Sequence, residues 1–151
     1  MKHTPQGETF TRLVIEAFKI NELLTIDGDA ICKLQGVTNA RWKILGCIAD
    51  DKSQLTVPQI ARKLGQSRQA VQRLANLMEA EELLIFTENP QHKRANFLEL
   101  TQKGLTVFSN LMEVQTPLVN RQASQIPLED LENALRIMQK ISAVIESEHE
   151  R

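Results

Sequence analysis

Two short amphipathic stretches, separated only by Gly65-Gln66-Ser67, constrain this chain more than any other feature. Thr56 can cap a helix over Val57–Leu64, with Pro58 tolerated in its first turn, and Gly65 stops it. Ser67 can cap a second helix that runs to Glu79. Ile60, Ala61 and Leu64 make the inner face of the first helix, and Val71, Leu74, Ala75 and Met78 that of the second. The other face of the second helix carries Arg68, Gln69, Gln72, Arg73 and Asn76. No acidic residue occurs between Arg62 and Met78.

A hairpin follows. Leu83–Thr87 and Asn96–Leu100 have strand composition, and Asn89-Pro90-Gln91-His92-Lys93-Arg94 between them is a polar turn with a basic tip. The flanks are helical. Leu13, Ala17, Ile20 and Leu24 form a stripe over residues 8–26, widened by Phe10, Val14 and Phe18. Asp27-Gly28-Asp29 interrupts the stripe and Ala30–Leu34 resumes it, which fits one long helix weakened at Gly28 or two helices. Thr38 caps a helix to Ala49 with Trp42, Leu45 and Ile48 inward. Thr101 caps another over Gln102 to Gln115 or beyond, with Pro117 as a breaking point. The last helix starts near Pro127, and Leu128, Leu131, Leu135, Met138 and Ile145 line its apolar side.

The expected fold is therefore mainly α with a small β-hairpin wing. A winged helix-turn-helix lobe spans residues 37–100, and dimerisation helices flank it at 1–36 and 101–151. The outer stripes are wider than a small middle lobe can cover, so another surface should bury them. Phe10, Leu13, Ala17, Leu128, Leu131, Leu135 and Met138 are the dimerisation candidates.

The net charge of −1 does not announce a nucleic-acid partner, but its distribution does. Residues 52–103 carry eight Lys/Arg against five Glu, whereas residues 127–151 carry six acids against three bases. An exposed helix face of Arg, Gln and Asn suits the major groove. Arg bonds guanine O6/N7 in bidentate fashion, and Gln or Asn does so with adenine N6/N7. In a helix-turn-helix it is the second helix that enters that groove. A narrow minor groove attracts Arg and Lys, which fits the His92-Lys93-Arg94 tip. Ser67, Arg68, Gln69, Gln72, Arg73, Asn76, His92, Lys93 and Arg94 are thus the DNA-binding candidates. The competing reading is a protein-interaction module that keeps the fold without reading DNA, and the near-neutral net charge favours it.

The chain resembles the MarR family of winged-helix regulators in the following residues. Leu55-Thr56-x-x-Gln59-Ile60-Ala61-x-x-Leu64-Gly65-x-Ser67-Arg68-Gln69-Ala70-Val71-x-Arg73-Leu74 leads to Asn89-Pro90-x-x-Lys93-Arg94-Ala95, and then to Leu98-x-Leu100-Thr101-x-x-Gly104. The resemblance implies a two-fold homodimer built from the terminal helices. It implies a recognition helix over 67–79 and a wing over 89–95 with Arg94 in the minor groove. The expected role is that of a bacterial, cytoplasmic transcription repressor on a pseudo-palindromic operator. The resemblance also implies a pocket for a small aromatic or phenolic effector, with Trp42 as a lining candidate, although the residue pattern by itself reads Trp42 as core rather than as a ligand platform. The family often has Asp two residues after the wing proline; here that residue is His92.

Other chemistries find little support. The two cysteines, Cys32 and Cys47, are too few for a Cys-only zinc site. The three histidines lie on a tail, a wing and a terminus. No triad spacing, paired carboxylates or phosphate loop suggests an enzyme, and neither a metal nor a cofactor is expected. No apolar run approaches the roughly 20 residues of a membrane span, and no signal-peptide core follows the N-terminus.

Overall fold

The computed structural model describes residues 2–51 and 53–149. The order is α1 (Pro5–Leu34), α2 (Asn39–Asp50), β1 (Leu55–Thr56), α3 (Val57–Leu64), α4 (Arg68–Ala80), β2 (Leu84–Thr87), β3 (Phe97–Leu100), α5 (Gln102–Ala123) and α6 (Leu128–His149). The architecture is mainly helical with one small antiparallel sheet, as the sequence pattern predicts.

The caps fall where the side chains allow. The Ser67 hydroxyl accepts from the Ala70 N–H at 3.1 Å, and the Thr38 hydroxyl accepts from the Arg41 N–H at 3.3 Å. At α3 the Gln59 carbonyl oxygen accepts from the Thr56 N–H at 2.8 Å. Gly65 ends α3 in the left-handed region and starts the turn into α4. Each bond satisfies a helix-end group that has no partner within the helix.

Two ambiguities resolve toward continuity. α1 is one helix through Asp27-Gly28-Asp29. Gly28 is buried, and a Cβ there would lie 2.7 Å from the Asn39 side chain, so the missing side chain lets α2 come close. α5 likewise runs through Pro117 to Ala123. Pro117 and Glu113, whose carbonyl loses its donor, are both exposed, and water can satisfy that oxygen.

The hairpin expectation is incomplete. β1 adds a third strand, giving the order β1-β3-β2. Leu55 pairs with Leu98 and Thr56 with Phe97, while β2 and β3 pair from Leu84↔Leu100 to Thr87↔Phe97. A two-residue strand is too short to show alternation, so Thr56 could be read only as a cap. The strands also begin one residue later than expected, at Leu84 and Phe97.

The core of the middle lobe comprises Ile44, Leu45, Ile60, Val71, Ala75, Met78, Leu84 and Leu98, each buried. Trp42, Ile48, Leu64 and Leu74 are only half-buried, and Ile44 rather than Ile48 fills the inner face of α2. The chain forms one compact unit ending at Met112 and a second beginning at Glu113. Within the second unit no described residue of α6 is buried.

Candidate nucleic-acid interface

The exposed face of α4 and the inner edge of the wing form one open groove of about 880 Å³. From α4 it is lined by Arg68, Gln69, Gln72, Arg73, Asn76 and Glu79. From the sheet and wing it takes Phe86, Arg94, Ala95 and Asn96, and Val57 and Pro58 of α3 close one side. Six of the nine expected contact residues therefore converge on one surface. Ser67, His92 and Lys93 are exposed but do not line the groove, Ser67 because its hydroxyl caps α4.

Three guanidiniums, those of Arg68, Arg73 and Arg94, face a single carboxylate, Glu79. None of the three enters an ion pair among the described residues. Free Arg forks with a surplus of positive charge fit the phosphates and guanine edges of a duplex. Along α4, Gln72 Nε2 donates to Asn76 Oδ1 at 2.8 Å, so the two amides sit on the same face of the helix.

The wing owes its shape to a residue that the sequence pattern marks only as part of a turn. Asn89 Nδ2 donates to the Ala95 carbonyl at 3.0 Å, and Asn89 Oδ1 accepts from the Gln91 N–H at 3.0 Å. The Ala95 N–H in turn donates to the His92 carbonyl at 3.2 Å. An Asx turn of this kind closes the wing across its base without the carboxylate that His92 replaces. Phe86, Asn96 and Pro58 were also not anticipated; an Asn directly before Pro in a polar turn is the one signal that could have marked Asn89.

The remaining expected residues lie elsewhere. Phe10, Leu13 and Ala17 are exposed on α1, as are Leu128, Leu135 and Met138 on α6, where Leu131 is half-buried. Trp42 is half-buried on α2 and does not line the groove. Burial pushes both thiols up from their ordinary values, Cys32 with help from Asp29, and for Cys47 the Lys63 ammonium only partly offsets it. Neither microenvironment favours a thiolate. Among the described residues no three His, Cys, Asp or Glu side chains cluster as a metal site, and no helix is long and apolar enough to cross a membrane.

Comparison with known proteins agrees with this geometry. The model of the MarR family matches residues 35–95, the span from the end of α1 through the wing. An uncharacterised protein of Mycobacterium tuberculosis is 36% identical over 120 residues, covering 80% of this chain and 82% of the relative. The crystal structure of AbsC, a MarR family transcriptional regulator from Streptomyces coelicolor, superposes with a TM-score of 0.78 at 19% identity over 97% of this chain and 99% of that one. The S. aureus MepR–DNA complex gives 0.74 at 19% identity, covering 87% of this chain and 96% of MepR. The helix order, the three-stranded sheet and the matched segment give one conclusion: the chain belongs to the MarR family of winged-helix transcription regulators.

Proposed function

We propose that this protein is a sequence-specific duplex-DNA-binding repressor that acts as a homodimer in the bacterial cytoplasm. The observation that carries the reading is the groove between α4 and the wing, with its three unpaired guanidiniums and its row of amides. In this reading α4 enters the major groove and Arg94 the neighbouring minor groove. The described structure of a MepR–DNA complex with the same fold supports it. Residues 37–100 form the DNA-binding lobe, and the helices at 1–36 and 101–151 make the dimer. Occupancy of promoter DNA represses, and a small aromatic or phenolic compound near Trp42 relieves it.

Selection of bound duplexes from a random pool, followed by titration of the selected sequence at several salt concentrations, tests the reading. A pseudo-palindrome with half-sites about 10 bp apart is expected, together with affinity that falls steeply with salt as phosphate contacts release counterions. Failure to enrich any sequence, with salt-independent association, would favour the protein-interaction alternative. With a selected duplex in hand, emission of Trp42, the single tryptophan, reports on small aromatic acids. Compounds that shift neither emission nor DNA affinity would remove that effector class.

A further inference from the structure

The C-terminal end of α4 is tied down by a polar cluster of which no member lines the groove. Glu81 follows the last residue of α4, and its N–H donates to the Leu77 carbonyl at 3.0 Å. Its carboxylate takes two bonds from Arg41 of α2, from Nε at 2.8 Å and from Nη2 at 2.5 Å. Arg41 Nη1 also donates to Thr38 Oγ1 at 3.2 Å, and Thr38 is the residue that caps α2. The Arg41 side chain is only 19% exposed. On the other side Lys103 Nζ donates to the Glu81 carbonyl at 2.8 Å. Glu82 then turns the chain at a φ of 61°, and its carbonyl accepts from the Thr101 hydroxyl at 2.5 Å.

A bidentate Arg–carboxylate pair fixes direction as well as distance. α4 has 13 residues. At 1.5 Å per residue it is roughly 20 Å long, so a tilt of about 10° at the anchored end displaces the other end by about 3 Å. That exceeds the tolerance of a hydrogen bond to a base edge. Gln69, Gln72 and Arg73 lie toward the end that would swing. We propose that the Arg41–Glu81 pair positions the recognition helix on duplex DNA, setting its angle to α2 and hence its sequence preference without touching DNA. This rests on the DNA-binding reading above.

The test compares the unmodified protein with Arg41→Gln, Glu81→Gln and Arg41→Lys on the selected duplex and on a scrambled one, over a range of salt. Arg41→Gln removes a positive charge and Glu81→Gln a negative one. A long-range charge effect would therefore move affinity in opposite directions, whereas lost positioning lowers both. The expected result is a loss of about tenfold on the selected duplex for each of these variants, typical of breaking one coupled pair. Binding to the scrambled duplex and the salt slope should stay unchanged, because no phosphate contact is lost; that retained binding also reports an intact fold. Arg41→Lys keeps the charge but not the fork and should still lose affinity for the selected duplex. Unchanged affinity in the Gln variants, opposite shifts, or a loss equal on both duplexes would overturn the proposal. If the unmodified protein itself does not distinguish the duplexes, the DNA reading fails and this inference falls with it.

Discussion

Arg73 and Arg94 carry the same charge into the same groove from different elements, and their removal should have different consequences. Arg73 projects from α4, where a bidentate contact to a base edge is worth about 1–3 kcal/mol of discrimination. Arg73→Ala should therefore relax preference at particular base pairs, and Gln69→Ala should behave alike. Arg94 comes from the wing, where the minor groove offers only a degenerate code. Arg94→Ala should weaken binding to most sequences equally and flatten the salt slope by about one unit. Titration of these variants against matched and scrambled duplexes at several salt concentrations checks the division. If Arg94→Ala leaves affinity unchanged while the fold is intact, the wing does not contact DNA. The residue types on α4 were legible from spacing alone. Asn89 was not, because its role depends on reaching Ala95 across the wing.

Elements meet in this lobe through backbone contacts as well as side chains. Gly104 lies in the first turn of α5, and a Cβ there would stand 2.0 Å from the Leu83 carbonyl oxygen. That oxygen also accepts from the Thr101 N–H at 3.2 Å, and Thr101 Oγ1 accepts from the Gly104 N–H at 3.0 Å. The Leu-Thr-x-x-Gly pattern thus marks where α5 presses onto the start of β2. Gly104→Ala forces the helix off the chain before β2 and should cost about 3 kcal/mol, the upper range for overpacking a tight contact. Gly28→Ala is the comparison. Its clash is with the Asn39 amide, a side chain that can rotate, and alanine gains about 1 kcal/mol of helix propensity. Urea midpoints should separate the two variants clearly; equal midpoints would mean that the contact with Leu83 yields easily.

For the whole molecule, the apolar surface left by one chain is the outstanding fact. On α1 Phe18 is 68% exposed and Leu24 59%, and on α6 Leu128 is 70% exposed and Leu135 57%. Exposed apolar patches of this kind are the surface that the proposed dimer would bury. Leu131→Glu with Leu135→Glu should therefore give monomer or aggregate. Sedimentation of the unmodified protein at micromolar concentration should show a dimer. A monomer there would refute the assembly proposed above and leave those stripes unexplained.

Local chemistry determined much of this protein. Caps at Thr38 and Ser67, the stop at Gly65 and the apolar spacing depend on neighbours within one or two turns, and these place α2, α3 and α4 almost to the residue. The charge pattern likewise marked the face of α4 that borders the groove. Only the tertiary structure decided the rest. β1 exists because Leu55 and Thr56 find partners more than 40 residues later, at Leu98 and Phe97. α1 continues through Gly28, where the absent side chain leaves room for Asn39 of α2, and α5 continues through Pro117, where the residue whose carbonyl loses its donor is exposed. The Arg41–Glu81 pair joins residues 40 positions apart. Their side chains have no periodic signature, because what unites them is the fold that brings α2 to the end of α4.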